Sequence, residues 1–184
     1  MVVLQEIETD HPLYPFIEDL LHTAFPEDER RDDEMQRWNT DYEEKFHCLL
    51  TKKKEEPIGL LTYWEFDTFI YIEHLATEAI LRGKGFGKKA LQTFLDTHSP
   101  KPVVLEVEHP TDEMSTRRIG FYKRCGLNLL ICDYKQPPYR KGDEWLPMYL
   151  MATPDLSLKE DYTHIKQTIY SKVYGIDHTT RDIS

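Results

Sequence analysis

Cysteine is scarce in this 184-residue chain, present at three positions only, Cys48, Cys125 and Cys132. So small and odd a number argues against a disulfide scaffold and for a reducing compartment. Long apolar runs are missing too, since nothing approaches the roughly 18 residues that a membrane span needs, and the opening MVVLQEIETD lacks a basic leader with an apolar core. A cytoplasmic protein without a membrane segment is expected. The eight histidines fall in no His-Glu-x-x-His or Cys/His pattern of zinc spacing, so no metal is expected. Positive charge is in deficit, 23 Lys and Arg against 33 Asp and Glu for a net charge of −10. That balance disfavours nucleic acid as a partner, because a phosphate backbone selects a basic face. What is abundant suits a globular domain with a full core: 40% hydrophobic residues, with aromatics at 12%.

The basic residues that do cluster lie in Arg82-Gly83-Lys84-Gly85-Phe86-Gly87-Lys88-Lys89. This stretch joins a strand-like run, Phe69 to Thr77, to a helix-like run from Phe86 to about His98, in which Phe86, Ala90, Leu91, Phe94 and Leu95 fall at helical spacing. Glycines at alternate positions uncover backbone N–H groups, and the first helical turn adds its own unpaired donors and the positive end of its dipole. Such a turn is a place to hold phosphate. It is not a Walker loop, because Lys88 is followed by Lys89 and position 82 is Arg; nor is Gly-x-Gly-x-Gly the dinucleotide fingerprint.

Arg-x-x-Gly-x-Gly, at Arg82, Gly85 and Gly87, resembles the pyrophosphate-binding motif of the GNAT superfamily, the acetyl-CoA-dependent N-acetyltransferases. A second stretch strengthens the likeness. Val103 to Glu108 reads as a strand and Met114 to Tyr122 as a helix, closed by Phe121-Tyr122-Lys123-Arg124-Cys125-Gly126-Leu127 with Gly126 as its stop, similar to that family's ending. The resemblance covers about Gly59 to Met151 and is strongest from Tyr71 to Leu127.

The resemblance implies an acetyl-CoA cosubstrate whose diphosphate meets Arg82, Gly83, Lys84, Gly85, Phe86, Gly87 and Lys88, and whose pantetheine arm pairs with Leu75, Ala76 and Thr77. It implies Tyr122 as the acid that protonates the leaving thiolate. Glu73 is the implied base, in an apolar setting that would raise its pKa, with Glu106, Glu108 and a water chain as rivals. Alternation puts Tyr71, Glu73, Leu75 and Thr77 on one strand face. The family's usual cofactor-binding Asn is Ser115 here and a usual Ala is Arg118, so contacts from that helix are the departure. The acceptor would be a small-molecule amine or a protein amine. The alternatives are transfer of another acyl group within the same fold, or a CoA-binding module without turnover.

The rest of the chain fits an α/β fold, a mixed, mostly antiparallel sheet of about seven strands flanked by helices. Val2 to Glu8, Phe46 to Thr51, Pro57 to Phe66, Thr68 to Thr77, Asn128 to Asp133 and Trp145 to Met151 read as its further strands. Leu13, Phe16, Ile17, Leu20, Leu21 and Ala24 form a buried helix stripe that Pro26 ends. Glu27 to Glu44 reads as a solvated segment; the resemblance implies instead an acceptor-site wall, in which Glu27, Asp28, Glu29, Asp32 and Asp33 would favour a cationic amine. Residues 1–154 form the acetyltransferase-like domain, and 155–184 an extra helix and tail. That helix opens on a capping box, Ser157 to Glu160, and docks on the domain or on another copy, which would make a homodimer.

Overall fold

Strand β2 (Phe46–Lys53), β3 (Glu56–Glu65) and β4 (Ile70–Thr77) form an antiparallel meander. Cys48 to Thr51 and Ile58 to Trp64 are buried residue after residue. A strand covered on both faces needs such continuous apolar runs rather than alternation. β1 (Val2–Glu6) pairs antiparallel with β2, and β5 (Val103–Glu108) pairs parallel with β4. Helix α1 (Tyr14–Ala24) packs on β3 and β4 through Tyr14, Ile17, Leu20 and Leu21, and α3 (Phe86–His98) packs on β1 and β4, burying Ala90, Leu91 and Phe94. Full burial of side chains such as Leu91 and Phe94 stabilises by about 1.5–3 kcal/mol each.

The computed structural model describes residues 1–156 and 158–176, the side chains of 158–160 excepted. The chain divides into two compact units, Met1–Leu105 and a second that begins at Glu106. The expected capping box at 157–160 and the tail beyond 176 lie outside the described residues.

The charged segment is not simply solvated. Glu27–Glu29 make a 3-10 turn, and Asp33–Tyr42 form helix α2, capped by Asp32, whose carboxylate accepts from the Met35 N–H at 2.8 Å. Arg31, Gln36 and Asn39 are buried, while Met35, Trp38 and Tyr42 are exposed.

In the second unit, α4 (Glu113–Arg124) is followed by β6 (Asn128–Gln136) and β7 (Leu146–Ala152), an antiparallel pair. β6 runs past the expected end at Asp133 because its register with β7 shifts between Leu130 and Tyr134, and pairing resumes at Tyr134 opposite Met148. The helix α5 (Leu158–Thr168) continues as a π turn over Ile169–Val173 and docks on this same unit. The Tyr162 and Tyr170 hydroxyls donate to the carbonyls of Asp133 (2.8 Å) and Lys135 (2.6 Å), main-chain groups of the irregular strand. Among the described residues no helix is long and apolar enough to cross a membrane.

Gly59 lies opposite Thr77, and a Cβ there would sit 2.4 Å from the Ala76 carbonyl oxygen. Only glycine lets β3 and β4 approach so closely. Gly59→Ala is therefore expected to destabilise by about 1–3 kcal/mol, with Tm falling about 2–4 °C for each of them. Calorimetry showing an unchanged Tm would mean that the strands can part there at no cost.

Candidate active site

The glycine turn has the geometry its sequence demands. Gly83 (φ +77°) and Gly85 (φ +81°) are left-handed, and Gly85 is the N-cap of α3 with no side chain to occupy the first-turn amides. Arg82, Lys84, Lys88 and Lys89 are exposed around it. Arg82 Nε also donates to the Thr77 carbonyl at 3.4 Å, tying the turn to the end of β4. Phe86 serves a different purpose from its neighbours. Its ring packs in a cluster with Val2, Ile58 and Ala90 and lies 5.1 Å from Lys53 Nζ, so the side chain anchors the turn while the amide stays at the helix start. Gly87 is the second residue of α3.

Upstream, β4 is held along one edge and released along the other. Its pairing with β3 runs to Thr77, with Leu75, Ala76 and Thr77 opposite Leu61, Leu60 and Gly59. Its parallel ladder with β5 covers Ile70/Val103 to Ile72/Leu105 and stops there, while β4 continues. Leu75 and Thr77 are half-buried. The backbone of Leu75–Thr77 is thus the segment past the end of that ladder, immediately before the glycine turn.

Glu73 does not sit in the apolar setting expected of it. Strict alternation is interrupted at this residue, because the β3/β4 register shifts from Thr62/His74 to Tyr63/Ile72 and leaves Glu73 as the extra residue of a bulge. Its carboxylate is fully buried and gripped by Arg31, with Nη1 2.9 Å from Oε2 and Nη2 2.5 Å from Oε1, and Trp64 Nε1 donates to Oε2 at 3.0 Å. Arg31 is itself buried, 5.5 and 5.7 Å from the Phe46 and Trp64 ring centres. A bidentate guanidinium favours the ionised carboxylate and opposes the effect of burial. Next to it, His74 is wholly buried, with Nε2 donating to the Glu29 carbonyl at 3.1 Å and Nδ1 3.1 Å from Thr62 Oγ1. Burial lowers its pKa. Arg31 and His74 together strap the 29–31 segment to β4. The acids proposed as an acceptor wall divide accordingly: Asp32 caps α2, Asp33 pairs with His22 at 2.7 Å, and Glu27 and Asp28 are exposed.

In the second unit Tyr122 is buried in α4, with its ring edge-on to Phe121 at 5.1 Å. Burial pushes its phenol up to about 12, so it carries its proton at neutral pH. Ser115, expected to contact cofactor, is buried in the α4 capping box instead. Its N–H donates to Asp112 Oδ1 at 2.7 Å, its hydroxyl lies 3.0 Å from the same oxygen, and Asp112 N–H donates back to Oγ at 3.2 Å. Reach to a ligand would mean breaking that cap. Arg118 turns to Glu108, 2.6 Å from Oε2. Glu106 accepts from the Tyr134 hydroxyl at 2.5 Å and from the Tyr174 hydroxyl at 3.0 Å. Neither the partner of Arg31 nor the convergence on Glu106 could be read from the sequence, because both arrangements join segments far apart in the chain; Arg30, Arg31 and Arg37 inside an acidic run were the signal for the first.

A family profile described as "Acetyltransferase (GNAT) family" matches residues 13–127. The chain belongs to that family. A solved structure from Bacteroides thetaiotaomicron, assigned to the GNAT acetyltransferases, is 44% identical to this GNAT acetyltransferase, with a TM-score of 0.91 over 95% of this chain and 99% of that one. The Bacillus subtilis (strain 168) protein YjbC, classed as an acetyltransferase, is 37% identical over 75 residues, a match spanning 39% of this chain and 38% of YjbC. A Bacillus subtilis acetyltransferase solved in complex with CoA shares the fold, at 16% identity and a TM-score of 0.58 over 85% of this chain and the whole of that one. The expected fold class therefore holds, and the chain is an acyltransferase of this family.

Two stability outcomes follow from the buried strap. Arg31→Leu should cost about 3–5 kcal/mol by stranding the Glu73 charge, and the double variant with Glu73→Leu should recover most of it; a double variant as unstable as the single one would contradict the pairing. Because the folded-state pKa of His74 is lowered, stability is intact above about pH 6.5 and declines as pH falls below it, where the unfolded chain binds the proton more readily. His74→Gln should flatten that decline in denaturant titrations across pH 5–7, a range set by the imidazole's ordinary pKa of about 6.5.

Proposed function

We propose that this protein is an acetyl-CoA-dependent N-acetyltransferase that transfers acetyl directly to a primary amine. The observation that carries the reading is the sequence of features along one strand: β4 outlasts its ladder with β5, and the segment beyond leads into a left-handed glycine turn with an uncapped helix start. An extended pantetheine arm can pair with the backbone of Leu75–Thr77 as a strand would. The diphosphate then meets the amides at Gly83 to Lys88 and the charges of Arg82, Lys84 and Lys88. The relative solved with CoA supports this use of the fold.

An alkylammonium near pKa 10 must lose a proton before it can attack the thioester carbon. Holding the two within about 3–3.5 Å supplies much of the rate. Collapse of the tetrahedral intermediate expels the CoA thiolate, which Tyr122 protonates; a buried, neutral phenol has the proton to give. We assign the base role away from Glu73, since both of its oxygens are bound by a guanidinium. The ammonium's proton passes to a carboxylate of β5 or to water. Ser115 is left out of the cofactor contacts for the same kind of reason, its hydroxyl being held in the cap. Thiols rather than disulfides at Cys48, Cys125 and Cys132 accord with a cytoplasmic setting.

Purified protein incubated with acetyl-CoA and a panel of primary amines should release free thiol. Tyr122→Phe should lower kcat by about 10²–10⁴ while leaving the calorimetric affinity for acetyl-CoA within about twofold, the signature of an interaction made in the transition state. An unchanged kcat removes Tyr122 from the reaction. Absence of acetyl-CoA binding by the parent protein removes the function itself.

A further inference from the structure

Helix α3 opens against the usual electrostatic rule. The positive end of a helix dipole favours acids in the first turn, yet the first turn of α3 holds none and carries Lys88 and Lys89 instead. Arg82 and Lys84 stand exposed just before it. The amides of Phe86, Gly87 and Lys88 precede the first helical bond, which runs from the Lys89 N–H to the Gly85 carbonyl at 3.1 Å, and no side chain caps the helix.

A fifth cation reaches this place from a different strand. Lys53, the last residue of β2, is exposed, and its Nζ lies 5.1 Å from the centre of the Phe86 ring. Glu56 is its cross-strand neighbour, but the ammonium goes to the ring. The ring is itself anchored, packed with Val2, Ile58 and Ala90 and flanked by Leu4 and Leu81. Only the Phe86 side chain separates the ammonium from the uncapped amides, so its charge acts on them within about 10 Å, the screening length at 0.1 M salt. Like charges gathered at the positive end of a dipole repel it and one another. A compact polyanion relieves that repulsion, and on a chain of net charge −10 the cluster marks where one is taken up.

We propose that Lys53 belongs to the phosphate site of the cosubstrate: the end of β2 supplies a cation, carried on Phe86, to the field that the glycine turn presents to the phosphates of CoA. This rests on the acetyltransferase reading and adds to it a binding residue from outside the Arg-x-x-Gly-x-Gly stretch. Phe86 is the positioning residue, since one ring both anchors the turn and holds the ammonium beside it.

The test is calorimetry on the full chain with CoA and with dephospho-CoA, which lacks the ribose 3′-phosphate. It compares the parent, Lys53→Gln and Lys45→Gln, the last a lysine at the other end of β2, 3.9 Å from Asp67. In about 0.05 M salt, affinity for CoA should fall about three- to tenfold in Lys53→Gln. In about 0.5 M salt the loss should shrink below about twofold. Lys45→Gln should stay within about twofold of the parent in both. A loss seen with CoA alone assigns Lys53 to the 3′-phosphate; a loss with both ligands assigns it to the diphosphate. In a Phe86→Leu background, which keeps an apolar anchor without the ring, Lys53→Gln should cost less than about twofold, and an undiminished loss removes Phe86 as the positioning residue. Thermal unfolding of the ligand-free protein gives the reading that a packing role would move: Tm of Lys53→Gln should equal or exceed that of the parent. The inference is overturned if Lys53→Gln binds CoA as the parent does, if Lys45→Gln loses as much, if the loss persists at high salt, or if the ligand-free Tm falls along with affinity. A parent that takes up CoA no better than Lys53→Gln sinks this inference alone, whereas a parent that takes up none sinks the function with it.

Discussion

Backbone hydrogen bonding along β4 is the constraint from which the rest of the first unit follows. The strand is pinned to β3 along its length, tightly enough at Gly59 that no side chain fits, while its ladder with β5 ends at Ile72 and Leu105. Main-chain donors and acceptors demand partners, so a strand edge past the end of its ladder is a template for whatever extended group comes to lie there. The glycine turn continues the same logic. It replaces a strand's amides with those of a helix start and changes the preferred partner from an amide to an anion.

A buried ion pair keeps that strand in place. Arg31 and Glu73 are expensive to bury singly, and the pair is held by two guanidinium bonds, an indole N–H and two aromatic faces. Removing one side strands a buried charge, whereas a hydrophobic pair could fill the same space. The bulge at Glu73 aims the carboxylate at Arg31, and His74 beside it holds the Glu29 carbonyl. In this way a segment rich in acids is fixed by the one arginine it buries.

The second unit relies on tyrosine hydroxyls. Where β6 departs from regular pairing, its carbonyls at Asp133 and Lys135 accept from Tyr162 and Tyr170 of the C-terminal helical segment. A strand irregularity would otherwise leave polar main chain to be satisfied by water. The same segment sends Tyr174 to Glu106, so one helical arm both docks the end of the chain and furnishes a carboxylate with its partner.

Local pattern carried most of the architecture. Apolar runs of strand length, the helical stripes of α1 and α3, and the stop at Gly126 depend on neighbours in sequence, and the elements appear within a few residues of where those patterns put them. The glycine turn was equally legible, since Gly83 and Gly85 adopt a backbone conformation that few other residues tolerate. Partnership was not. Whether Glu73 meets an apolar wall or Arg31, whether Ser115 faces a ligand or caps its own helix, and which hydroxyls reach Glu106 depend on residues brought together from distant parts of the chain. Residue type and spacing thus determined where a phosphate could be held, while only the tertiary structure decided which charges are already spoken for, because the energy of a buried charge is set by what surrounds it in space.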